Sequence, residues 1–214
     1  MELKNQIQLF IEQAHQVGKE RLQLCSSGNI SWRIDDDLAL VSGTGSWLPQ
    51  LAEKNVAVCR ISDGQRIEGA KPSMESSFHL GVLRERKDVN VVLHFQSEFA
   101  TVVSCMKNKP NNFNVTAEVP CYCGKEIPTL PYFRPGSLEL AKSVTEAMRN
   151  HDTILLNKHG QIVCGKDFDD AFQKAVFFEM ACGVIVRAGE GNYQTLTEEE
   201  IRDLEIYVLG KSSK

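Results

Sequence analysis

No run of 18 apolar residues occurs anywhere in these 214 residues, and Met1 to Asn5 lead straight into an amphipathic pattern with no signal-peptide core. Neither a membrane span nor export is expected, and a cytoplasmic location is. Positive charge is not in excess either. The formal net charge of -4 removes the electrostatic case for nucleic acid or an anionic membrane as partner. The seven cysteines, at 25, 59, 105, 121, 123, 164 and 182, are odd in number and scattered, so no disulfide framework is expected. Most lie in apolar sequence and read as reduced thiols packed as small hydrophobes. Cys121-Tyr122-Cys123 lacks the two-residue spacing of a zinc knuckle. Ser42-Gly43-Thr44-Gly45 has no third glycine for a dinucleotide fingerprint and no Gly-Lys-Ser/Thr for a P-loop. Repeats, linkers and low-complexity segments are missing as well, and histidine is scarce, with five in all.

What is present is a globular composition, 42% hydrophobic and 24% charged. One domain over residues 1–214 is expected, able to bury on the order of 70% of its unfolded surface. Leu3, Ile7, Phe10, Ile11, Ala14 and Val17 recur at helical spacing and predict a first helix of roughly twenty residues. Hairpins are predicted around Asp35 to Asp37 and around Asp63-Gly64. Helices are predicted over 76–86, 98–106, from Ser137 to about 149, over 169–188, and from the capping box Thr197 to Glu200 to about 209. Buried strands are expected over 89–95 and 153–157, the second paired with 161–164. Helices and strands alternate irregularly with hairpins among them. The fold class is therefore α/β, layered, with a mostly antiparallel or mixed central sheet.

The chemistry gathers at the ends of those strands. Lys71-Pro72-Ser73-Met74-Glu75 opens the second helix, and the strand after it delivers His94, followed by Phe95 and Gln96. A second strand ends in Asn157-Lys158-His159-Gly160. Two strand-end imidazoles and one helix-start carboxylate make a metal site, where a divalent ion polarises a carbonyl or enediolate while the carboxylate moves a proton. For each histidine taken alone, a satisfied core position is about equally good. His79, four residues after Glu75, can share its helix face as a metal-ligand pair, although a surface helical histidine is the commoner outcome. Gly28, Asn29, Thr44, Gly45 and Ser73 are neutral donors suited to a phosphate, or else ordinary turn and cap residues.

These residues also resemble a family. Gly28-Asn29-Ile30-Ser31, Ser42-Gly43-Thr44-Gly45, Pro72-Ser73-Met74-Glu75 with His79, Arg86-Lys87-Asp88-Val89 with Val92-Leu93-His94, Pro135-Gly136-Ser137 and His159-Gly160 follow, in order and spacing, the motifs of the class II aldolase/adducin family. The likeness covers nearly the whole chain and is strongest to the fuculose phosphate type of aldolase. It implies a three-layer α/β/α fold, a Zn2+ cofactor, a small sugar phosphate as partner and a homotetramer with sites between subunits. It implies that His94 and His159 hold the metal and that Glu75 approaches it and acts as the acid/base. The phosphate would rest on Gly28, Asn29, Thr44, Gly45 and Ser73. The reaction implied is reversible cleavage of a ketose 1-phosphate to dihydroxyacetone phosphate and an aldehyde such as lactaldehyde. Within the same family an epimerase, a dehydratase, a decarboxylase or a metal-free adducin-like binding domain is the alternative. Three positions depart from the family pattern. Gln96 stands where His-x-His has its second imidazole, leaving an amide oxygen as the third ligand. Met74 replaces a phosphate-binding serine. The family's proton-donor tyrosine falls near Ala117, so Tyr122 is the nearest candidate donor and Tyr207 the next.

Overall fold

Phe10, Ile11, Ala14 and Val17 form the buried side of α1 (Leu3–Lys19), the first element of a computed structural model in which residues 2–212 are described. A hairpin of β1 (Asn29–Arg33) and β2 (Leu38–Ser42) follows. Its turn is closed by the Asp35 carboxylate, which accepts from the backbone N-H of Asp37 and Leu38 at 2.9 and 2.7 Å. β3 (Val56–Arg60) and β4 (Arg66–Gly69) make the second predicted hairpin, with Gly64 at φ 78° in its turn. Then come α2 (Ser76–Glu85), β5 (Val91–Phe95), α3 (Glu98–Cys105), the short β6 (Thr129–Leu130), α4 (Leu138–Ala147), β7 (Thr153–Leu156), β8 (Gly160–Gly165), α5 (Phe168–Ala188) and α6 (Glu198–Ser212). The caps are those the sequence offers. Ser137 Oγ accepts from Leu140 N, and Thr197 and Glu200 exchange bonds at the start of α6.

The eight strands form one sheet in the order β4-β3-β2-β1-β5-β8-β7-β6, antiparallel throughout except between β6 and β7. Strand alternation divides the core between the two faces. Leu40, Val91, Leu93 and Val163 pack under α1 and α5. Ala39, Val41, Val92, Ile162 and Cys164 pack under α2 and α4. Helix, sheet and helix are thus stacked as the three layers expected. Fully buried Phe10, Phe78, Phe95 and Phe178 anchor these interfaces, each contributing about 1.5–3 kcal/mol of burial. All seven cysteines are free thiols, four of them buried.

One element was not foreseen. Val119–Cys123 forms a single π-helical turn, held against α5 by the Cys123 thiol on the Lys174 carbonyl at 3.3 Å. Among the described residues no helix is long and apolar enough to cross a membrane.

Candidate metal centre

Antiparallel pairing brings the start of β1, the end of β5 and the start of β8 to one end of the sheet: Asn29 lies opposite His94, and Phe95 opposite Gln161. Close backbone approach makes this possible. A Cβ on Gly28, where φ is +104°, would meet the His94 carbonyl oxygen at 2.7 Å, and one on Gly160 would meet the Phe95 carbonyl at 2.6 Å. The turn from β7 to β8 carries His159 behind Lys158, whose φ of 56° bends the chain sharply, and the Lys158 N-H rests on the Ser104 carbonyl. Glu75 arrives from the opposite direction, as the residue immediately before α2.

The three side chains converge. Glu75 Oε2 lies 3.4 Å from His94 Nε2, and Glu75 Oε1 lies 3.5 Å from His159 Nε2. The two imidazole centroids are 4.8 Å apart. Among the described residues this is the group of three histidine, cysteine or carboxylate side chains able to hold one ion, with ligand atoms within 4.8 Å of one another. Both Glu75 and His94 are buried.

The hydrogen bonding fixes what these atoms carry. His94 Nδ1 is 3.0 Å from the Gln161 carbonyl oxygen, which can only accept. A proton therefore sits on Nδ1, and Nε2 is the nitrogen turned toward the carboxylate. Burial, and behind it the neighbouring His94, holds His159 down to about pKa 4, so that imidazole is neutral. Glu75 Oε1, His94 Nε2 and His159 Nδ1 are buried without a hydrogen-bond partner. Glu75 Oε1 and His94 Nε2, polar atoms buried without a hydrogen bond beside one another, are costly alone and favourable around a cation. The donor set, two imidazoles and a carboxylate, is one that Zn2+ accepts.

The other expected residues are placed as follows. Gln96 lies beside Gly160, where an added Cβ would meet its Cγ at 2.7 Å. The loop after β2 and the segment before Glu75 run side by side, joined by Thr44 N to Lys71 O at 3.0 Å and Ser73 N to Ser42 O at 2.9 Å. Thr44 thus spends its backbone N-H within the protein. Gly45, at φ +72°, has open space over its Cα. Ser73 Oγ accepts from Glu75 N at 3.2 Å. Asn29 Nδ2 donates to Glu75 Oε2 at 3.0 Å, which leaves its second N-H, and its Oδ1 meets His79 Nε2. Tyr122 is not gathered with this group. Its ring packs on Phe177 at 5.0 Å, and the adjacent Cys123 bonds to Lys174, which reaches Cys164 near the far end of β8. Tyr207 lies on α6.

Sequence reasoning missed the role of His79. It is neither a ligand nor a surface group but fully buried, with Nδ1 2.8 Å from Ser31 Oγ. The signal was available in Ser31 and Asn29, which alternate on one face of β1.

The model of the class II aldolase and adducin N-terminal domain matches residues 8–186. The chain belongs to the class II aldolase/adducin family. Within it, the chain is 30% identical over 198 residues to a 3-oxo-tetronate 4-phosphate decarboxylase of Haemophilus influenzae, covering 92% of this chain and 90% of that one. It is 31% identical over 170 residues to an L-fuculose phosphate aldolase of Methanococcus maripaludis, covering 79% and 90%. Among solved structures, YgbL of Escherichia coli superposes with a TM-score of 0.86 at 27% identity over 94% of this chain and 97% of that one. The class II aldolase fold and membership of an enzyme superfamily of aldolases and decarboxylases follow. The expectation of an aldolase in particular does not, because decarboxylases stand among these relatives.

Proposed function

We propose that this chain is a divalent-metal-dependent lyase that removes CO2 from a 3-oxo sugar-acid phosphate of the 3-oxo-tetronate 4-phosphate type, leaving dihydroxyacetone phosphate. The observation that carries the proposal is the convergence of Glu75, His94 and His159 at the sheet end, with Glu75 Oε1 and His94 Nε2 buried and unpaired there. His94 and His159 would hold the ion, with Glu75 beside it and the Gln96 amide as a further ligand. Zn2+ there would supply the positive charge that draws electrons toward the substrate carbonyl.

In a 3-oxo acid the carboxylate is one carbon removed from a carbonyl. When the C-C bond to the carboxylate breaks, its electron pair moves into that carbonyl and gives an enediolate, while CO2 leaves without a proton. The carbon that lost CO2 then takes one proton, and Glu75 is the group placed to deliver it. Thr44, Gly45 and Ser73 serve the phosphate, Gly28 supplies close backbone approach, and Asn29 serves Glu75.

The second reading, a fuculose phosphate type of aldolase, is favoured by the 31% identical relative of that name. Retro-aldol cleavage of a ketose 1-phosphate makes the same enediolate but releases an aldehyde, whose oxygen must trade a proton. Tyr122 lies away from the chain's own His94, so this reading needs it from a neighbouring subunit. The homotetramer with sites between subunits belongs to this proposal, and sedimentation analysis tests it.

The deciding experiment incubates Zn2+-loaded protein with 3-oxo-tetronate 4-phosphate and, separately, with fuculose 1-phosphate. CO2 together with dihydroxyacetone phosphate from the first is the expected result. Faster lactaldehyde release from the second would reverse the order of the two readings. No turnover of either, with no Zn2+ retained on purification, would discard both.

A further inference from the structure

We infer that Ser31 and His79 are positioning residues which, acting through the Asn29 amide, fix the Glu75 carboxylate for cation binding and proton transfer. The inference rests on the proposed role of Glu75 and extends it to three side chains behind it. Ser31 and His79 are fully buried, and Asn29 and Glu75 nearly so.

One assignment of protons follows from the ionised carboxylate and the amide of Asn29. The ionised Glu75 Oε2 accepts only, so the Asn29 atom 3.0 Å from it is the NH2 group. The Asn29 oxygen must then face His79 Nε2, which therefore carries a proton. His79 Nδ1 is left with a lone pair, and Ser31 Oγ, 2.8 Å away, donates into it. Burial, reinforced by the nearby His94, holds the His79 pKa down to about 3, which keeps the ring in this neutral form. Phe78 stacks on the His79 ring at 4.7 Å and fixes its plane.

The consequence falls on Glu75. With Asn29 bound to Oε2, the carboxylate cannot rotate freely, and Oε1 is left unpaired toward His159. Oε1 is then the oxygen available to a cation or a substrate proton. If the amide of Asn29 turned over, its oxygen would face Glu75 and repel it. His79 prevents this because its Nε2-H has no use for an NH2 group. Distant in sequence, Ser31 in turn supports that tautomer by donating to the Nδ1 lone pair.

The test uses three variants and two readouts that do not depend on knowing the substrate. His79→Met keeps bulk and removes the donor, His79→Gln keeps an N-H close to the Nε2 position, and Ser31→Ala removes only the hydroxyl. Zn2+ affinity is measured by chelator competition, and the His79 tautomer by 15N resonances of histidine-labelled protein. The wild type is expected to show His79 protonated on Nε2 alone, and Ser31→Ala a mixture of tautomers. His79→Met is expected to bind Zn2+ about 10–100-fold more weakly, the range for a lost partner behind a ligand, with His79→Gln recovering most of that loss. Where a substrate is turned over, kcat falls with the affinity while KM changes little. An Nδ1-H tautomer in the wild type, or a folded His79→Met with wild-type Zn2+ affinity, overturns the inference. Should His79→Met not fold, unchanged tautomer and affinity in Ser31→Ala overturn it equally. Failure of every tested substrate would count against the proposed reaction alone, since the Zn2+ and tautomer readouts still decide this one.

Discussion

Replacing Glu75 by Gln separates the two demands placed on this carboxylate. Glu75 Oε1 is buried and unpaired, 3.5 Å from His159 Nε2, while Oε2 accepts from Asn29. The amide of Gln has the same shape. Its oxygen takes the place of Oε2 and keeps the Asn29 bond, and its NH2 takes the place of Oε1, where it can donate to His159 Nε2 in the tautomer protonated on Nδ1. One orphaned acceptor is replaced by a hydrogen bond and a buried charge is removed, worth about 1 kcal/mol. For a chain of this length that raises the melting temperature of the apo protein by ~2–4 °C. Catalysis moves the other way. Gln cannot carry the proton, and a positioned acid/base contributes roughly 100-fold or more to turnover. Calorimetry of chelator-treated protein and CO2 release by the loaded enzyme read the two effects. A variant that is slower yet more heat-stable without metal is expected. A fall of several degrees in the apo melting temperature, or turnover equal to wild type, would refute the reasoning.

Removal of the cation should do the opposite. With Zn2+ at about 1,000 times its Kd, mass action contributes about 4 kcal/mol, so chelation should lower the melting temperature by on the order of 10 °C and restored Zn2+ should reverse it. Buried His79 gives a pH dependence with a definite sign. Its folded pKa is depressed to about 3 from 6.5, so below pH 6.5 the unfolded chain binds a proton that the folded chain does not, and stability falls as pH falls. By pH 5 the loss is ~2 kcal/mol from this group, and urea unfolding of apo wild type against His79→Gln between pH 7 and 5 measures it; equal slopes would refute the assignment. Gly28→Ala places a Cβ 2.7 Å from the His94 carbonyl at φ +104°. It should cost about 1–3 kcal/mol and weaken Zn2+ binding by moving β1 away from β5, as thermal melts and chelator competition would show.

Much of this was legible in the sequence because local chemistry and tertiary demand agree. The stripe of α1, the Asp35 and Asp63-Gly64 turns and the Ser137 and Thr197 caps are each written in a few adjacent residues, and each forms where expected. Strand-end histidines were legible because β5 and the stretch before β8 are buried on both faces and terminate in polar residues. The π-turn at Val119–Cys123 was not, since five residues holding one proline have neither a helical nor a strand period. The polar chain behind Glu75 was hidden for another reason. Its contacts join residues 46 to 50 positions apart, and they exist only because β1 passes beneath α2. Read locally, Asn29 looks like a phosphate donor and His79 like a surface histidine or a ligand. Both take part in holding one carboxylate.

This division bears on which reaction the family site performs. Decarboxylation and retro-aldol cleavage break different bonds but leave the electron pair in the same place, as an enediolate beside one carbonyl. Glu75, His94 and His159 therefore cannot distinguish the two, and neither can the polar chain that orients Glu75. What distinguishes them is the departing fragment: CO2 takes no proton, whereas an aldehyde oxygen must exchange one. Selectivity has to reside in groups that reach the leaving fragment, and Tyr122, whose ring packs on Phe177, is the candidate proton donor. If one enzyme runs both reactions, Tyr122→Phe should slow aldehyde release by roughly 100-fold while leaving CO2 release within about 2-fold, because only the first needs its proton. Equal slowing of both would place Tyr122 in general substrate binding, and no slowing of either would leave proton delivery to another group.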